Sequence, residues 1–278
     1  MRRRRWPWSP PVAPHPSVLL RQRQELRRQH QLRIASVEHQ LVLFLLASLL
    51  PVLLLPWANA NGSVIERLII PTVMTLLVVQ SLRTLPRFDN RPIAGRIARA
   101  FQLLGVLAAL SSWLLLVPQF YALKNSHLLC MALLAGFLSF SAVRLVQLLA
   151  RVPRVNLQVL AGAAGGYVHL GLTGGVIATM MQHNDPTSFS LGHLADHESM
   201  LERLIYFSYI TVSTLGYGDV LPTNVYGERF VVLLAISSTL YVSLLVAILL
   251  GRFVAPTEPG AMGEQELEEA LHKLRSRD

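Results

Sequence analysis

Six long runs almost free of charge constrain this chain more than any other feature. Residues 41–58, 68–82, 100–123, 128–150, 155–181 and 230–251 approach or exceed the roughly 20 apolar residues that a helix needs to cross a hydrocarbon core of about 30 Å. Only Arg144 interrupts the fourth run, near its end. Open strands in lipid would leave backbone N–H and C=O groups unpaired, so the runs predict helices. Composition agrees: 15% of the 278 residues are charged and mean hydropathy is +0.44, whereas soluble domains carry about 25% charged residues. A disordered chain and an ordinary soluble enzyme are both excluded. The single cysteine, Cys130, rules out an internal disulfide and a cysteine zinc cluster.

Lys and Arg number 25 against 16 Asp and Glu. They punctuate the apolar runs and form no interleaved basic face, so no nucleic-acid partner is expected. Most of them precede the first run, lie between the second and third or the fourth and fifth, or follow the sixth. With six spans, all these positions fall on one side. Asp185, Asp196, Glu198, Glu202, Asp219 and Glu228 gather on the other. The positive-inside rule then places both termini in the cytoplasm. Residues 1–40 form a basic cytoplasmic segment, separated from a secretory signal by its polar, Pro-rich stretch. A solvated tail is preferred there to a basic surface helix over 18–38.

Between the fifth and sixth runs the chain reads Leu201-Glu202-Arg203-Leu204-Ile205-Tyr206-Phe207-Ser208-Tyr209-Ile210-Thr211-Val212-Ser213, then Thr214-Leu215-Gly216-Tyr217-Gly218-Asp219. An apolar, aromatic helix running into a strand-like stretch with alternating glycines suits a re-entrant loop. Stacked backbone carbonyls can replace the hydration shell of a potassium ion without adding charge that would trap it. They face one way only if alternate residues reach φ > 0, which Gly216 and Gly218 do without steric cost. The Thr214 hydroxyl adds an oxygen ring at the cavity end. Tyr217 is expected to turn outward into a cuff of Tyr206, Phe207 and Tyr209. The C-terminal end of the short helix directs a partial negative charge toward the cavity. One chain carries one filter strand and a ring needs four, so a closed homotetramer is expected.

At 214–219 the sequence resembles the potassium channel family, with Leu215 in place of the usual Val; the resemblance covers residues 155–254. It implies an all-α membrane protein of six transmembrane helices, with a re-entrant pore helix and filter loop between spans five and six and a homotetrameric pore. The domains are a basic segment 1–40, a four-helix sensor-like domain 41–154, a pore domain 155–254 and a short cytoplasmic tail 255–278. Thr214, Leu215, Gly216, Tyr217 and Gly218 would bind the ion. Asp219, Tyr206, Phe207, Tyr209 and Ile210 would support the filter, and Thr239, Val242 and Val246 would line the cavity. Passive potassium flux across the cell membrane is the implied function, with potassium ions and membrane lipid as partners. No enzymatic activity, cofactor or other metal is expected.

The chain departs from that family in three ways. Ile210 stands where many members carry a carboxylate behind the filter, and Phe207 replaces an aromatic N–H donor, so Asp219 is expected to lack both usual supports, with Tyr206 or Tyr209 as the substitutes at hand. Arg144 is alone in span four, so steep voltage gating is not expected. Ser238 stands at the hinge-glycine position, in a sixth span without proline; the glycines of the fifth span are read as packing sites. The tail 264–277 has one leucine stripe and is read as solvated rather than bundled. Three rival readings rank lower: a non-conducting subunit, a haem protein using His169 and His183 as axial ligands, and a metal site at His193 and His197.

Overall fold

The computed structural model describes residues 39–58, 64–85, 92–117, 124–150, 156–192 and 199–254. Helix α1 runs from His39 to Trp57 and tightens into a 3-10 turn at Leu55–Ala58. It is followed by α2 (Val64–Thr84), α3 (Pro92–Leu114), α4 (Lys124–Leu149), α5 (Leu157–Asn184), α6 (Met200–Val212) and α7 (Val225–Val254). Among the described residues, six helices are long and apolar enough to cross a membrane, all except α6. With 13 residues, α6 spans only about 20 Å. The chain is a multi-pass membrane protein. Its basic N-terminal segment, its C-terminal leucine stripe and the His193–His197 pair lie outside the described residues.

Three helix boundaries differ notably from the charge-free runs. α3 begins at Pro92 instead of residue 100, because proline at the first helical position sacrifices no hydrogen bond. Arg96 and Arg99 are therefore helical and exposed, and their long stems let the charged heads reach water. The same helix ends at Leu114 instead of 123, unwinding through turn bonds from Leu116 to Trp113 and from Val117 to Leu114. Pro118 disfavours helical geometry at Val117 and so supports the early stop. α7 starts five residues early, at Val225, capped by the Asn224 side chain, which accepts from the Gly227 N–H at 2.8 Å.

Helix α5 is the hub: 61% of its most apolar stretch is buried, against 11% for α7. Its glycines make room for its neighbours. A Cβ at Gly162 would strike Leu41, at Gly165 Phe44 and Leu45, at Gly166 Tyr241 and Leu145, at Gly171 Tyr209, at Gly174 Ser208 and Leu234, and at Gly175 Ile205. Helices α1, α4, α6 and α7 thus all approach α5 at positions with no side chain, which supports the packing reading. The connection from Leu149 to Leu157 is short, and α4 packs on the α5 of its own chain. Leu145, Leu148 and Leu149 share one core with Val159, Ala163 and Leu172. At the far end of α5, β1 (Phe189–Ser190) pairs antiparallel with β2 (Leu221–Pro222), Phe189 opposite Pro222.

Candidate ion-conduction site

Ser199 caps α6 by accepting from the Glu202 N–H at 3.2 Å, and Ile205, Ser208 and Tyr209 turn toward α5. Three hydrogen bonds fix the depth of α6 against α5. Ser208 Oγ donates to the Gly171 carbonyl at 2.7 Å, and Tyr209 Oη to the Val168 carbonyl at 2.6 Å. Tyr167 Oη donates back to the Val212 carbonyl at 3.0 Å.

The helix ends in a Schellman motif. The Leu215 N–H bonds the Ile210 carbonyl at 3.0 Å and the Thr214 N–H bonds the Thr211 carbonyl at 3.1 Å. That motif requires a left-handed residue just past the C-cap, and Thr214 takes it with φ +62°. A β-branched residue there costs about 1–2 kcal/mol relative to a right-handed one. Gly216 and Gly218 follow at φ +56° and +78°, so positive φ recurs at every second residue from 214 to 218. The alternation anticipated at the two glycines is present, and Thr214 extends it by one position that sequence reasoning missed. The carbonyls of Tyr209, Ile210, Thr211 and Val212 all accept hydrogen bonds. A cation beyond the helix end would therefore sense the field of α6 more than a free carbonyl.

Beyond the filter-like segment, Asp219 does have a partner. Arg203 Nη2 lies 3.3 Å from Asp219 Oδ2, and Arg203 Nε donates to the Leu191 carbonyl at 3.1 Å. Ile210 and Phe207 offer Asp219 no polar group; its partners are Arg203, from the first turn of α6, and the Tyr206 hydroxyl, which hydrogen-bonds its carboxylate. Desolvation of the phenol and the adjacent Asp219 carboxylate both raise the pKa of Tyr206, keeping its hydroxyl protonated. The segment after Asp219 is tied down through Asn224, whose Nδ2 donates to Asp185 Oδ2 at 3.0 Å, and Thr223, whose Oγ1 donates to the Thr187 carbonyl at 2.6 Å.

The aromatic cuff does not form within one chain. Phe207 packs against Phe189 with ring centroids 5.4 Å apart, Tyr209 is engaged on α5, and Tyr217 is 68% exposed. Tyr206 and Phe207 point about 100° apart on α6, so their rings face different neighbours. Ile210 acts through its carbonyl, while its side chain is buried. On α7, Thr239, Val242 and Val246 are exposed along one face. Ser238 is buried, and its hydroxyl shares the Ala235 carbonyl with Thr239, at 2.8 and 3.0 Å.

His169 does not suit an axial ligand: it is fully buried, with Nε2 3.1 Å from the Leu138 carbonyl. His183 lies instead against His127 of α4, ring centroids 3.9 Å apart. Among the described residues no group of three or more His, Cys, Asp or Glu could hold a metal ion.

Residues 170–255 match the family model described as an ion channel. The match takes in most of α5, all of α6, the 213–219 segment and α7. It supports ion-channel function in general terms. No curated protein and no solved structure gives a significant match.

Proposed function

We propose that the chain is one of four identical subunits of a potassium-selective channel in the cell membrane, with both termini cytoplasmic and no steep voltage dependence. The observation that carries this reading is the segment from Thr214 to Gly218. Its left-handed residues recur at every second position, and the whole segment is exposed in a single chain although the helices around it are packed. Backbone that turns its peptide groups alternately offers a column of carbonyl oxygens, which dehydrates a cation without a trapping charge. α7 supports the assembly: it is strongly apolar yet almost uncovered by its own chain, and the exposed face bearing Thr239, Val242 and Val246 fits a cavity wall shared by four copies. In this reading 155–254 is the pore domain, and 41–154 is a sensor-like domain whose fourth helix carries Arg144 alone beyond its first residue, Lys124. Phe207 and Tyr209 support the filter only by anchoring α6. Potassium is the permeant ion and needs no further cofactor.

Potassium efflux from proteoliposomes containing this protein alone tests the reading. The expected result is passive efflux that is blocked when the liposomes lack protein and negligible for sodium. Assembly into tetramers without any flux would favour a non-conducting subunit.

A further inference from the structure

We infer that Arg203 is a positioning residue that clamps the outer end of the filter through Asp219 and sets how readily the filter leaves its conducting form. The inference rests on the reading of 214–218 as the filter. Asp219 follows Gly218 directly, so its carboxylate is the first charged group beyond the last filter peptide.

The Arg203 guanidinium joins three separate segments. Nε holds the Leu191 carbonyl of the outer loop at 3.1 Å, Nη2 holds Asp219 at 3.3 Å, and the guanidinium carbon lies 5.3 Å from the centre of the Tyr206 ring on its own helix. The arginine side chain is 16% exposed, so its geometry is fixed by packing as well as by charge. Gly192, with φ +65°, completes the arrangement. A Cβ there would come within 2.7 Å of the Asp219 carbonyl and 3.4 Å of Arg203 Nη2, so the outer loop lies directly on the end of the filter.

Two physical arguments separate a clamp from an incidental surface pair. A cation in the first turn of a helix opposes the macrodipole, so Arg203 occupies an unfavourable position unless a nearby carboxylate compensates it. The contacts also use the fork of the guanidinium, one donor to a carbonyl and another to a carboxylate. A lysine has a single point of charge and cannot serve both at once. Phe207 and Ile210 carry no polar side chain, so Asp219 is held from the outer turns of α6, where Arg203 pairs with it and the Tyr206 hydroxyl hydrogen-bonds it.

The test uses the full-length tetramer in planar bilayers, following the decline of potassium current during sustained activity at low and high external potassium. Arg203→Gln and Asp219→Asn should each speed the decline about tenfold or more, the rate equivalent of one charge-assisted hydrogen bond. High external potassium, by filling the outer ring, should largely restore the slow decline. Arg203→Gln/Asp219→Asn should be no worse than either single change, and Arg203→Lys should not rescue. Asp219→Asn changes only two atoms and keeps the test open if Arg203→Gln fails to assemble. Unchanged decline in a conducting Asp219→Asn channel, or additive effects in the double variant, would overturn the clamp. A wild-type tetramer that passes no potassium would instead overturn the filter reading, and the clamp with it.

Discussion

The Tyr241 hydroxyl donates to the Ala163 carbonyl at 2.6 Å and its ring occupies the space left by Gly166, joining α7 to α5. This contact sits beside a cavity of about 540 Å³ bounded by α4, α5 and α7, with Val143, Thr173, Ile177 and Leu240 in its wall. Tyr241→Phe should cost about 1 kcal/mol for the lost hydrogen bond. Gly166→Ala should cost about 1–3 kcal/mol by overpacking. Because both changes disturb one contact, the double variant should lose less than the sum. Apparent melting temperatures of the detergent-solubilised protein check all three.

Gly216→Ala isolates the backbone requirement of the filter. An added Cβ meets nothing within 4 Å in the chain, so the penalty comes from φ +56° alone, about 1–2 kcal/mol per subunit. Potassium selectivity over sodium should fall markedly while tetramer yield stays near wild type. Relative permeabilities from reversal potentials measure it.

Ile210→Glu is expected to harm the protein. From the sequence, a carboxylate behind the filter looks like a missing brace. In the structure Asp219 is already paired with Arg203, and Ile210 is only 7% exposed. A glutamate there is a buried charge without a partner, and its folded-state pKa should rise. A raised carboxyl pKa means that stability is lost as pH climbs from the unfolded value toward the folded one. The variant should therefore be less stable at pH 8 than at pH 5, by a wider margin than wild type, in thermal unfolding at the two pH values.

Voltage should move this channel little. Each charge crossing the membrane field contributes about 2.3 kcal/mol per 100 mV, and between its first residue, Lys124, and its end α4 carries only Arg144. Arg144→Gln should leave the conductance–voltage relation nearly flat. A gating charge of several elementary units per tetramer would contradict the prediction.

What could be read from the chain alone was whatever depends on local spacing. The six apolar runs became six helices, and Gly216 and Gly218 took positive φ, which glycine reaches without steric cost. The crowded glycines of α5 proved to be contact points, as small residues at helical spacing imply. What escaped depends on where distant segments meet. Arg203 and Asp219 are brought together by the way α6 meets the Leu191–Gly192 loop and the β1–β2 pairing, and neither that loop nor that pairing leaves a pattern in sequence. Where the aromatics go was also not legible: Phe207 is taken up by Phe189 and Tyr209 by the Val168 carbonyl of α5, both distant in sequence. The start of α3 was legible at Pro92, but requiring a charge-free run hid it, since Arg96 and Arg99 are tolerated at a helix end.

The reversal potential of the reconstituted wild-type channel, with potassium on one side of a bilayer and sodium on the other, tests the central claim most directly. A carbonyl-lined filter at 214–218 predicts a potential close to the potassium limit, shifting toward zero in Gly216→Ala. A wild-type reversal potential near zero, with sodium and potassium comparably permeant, would contradict it.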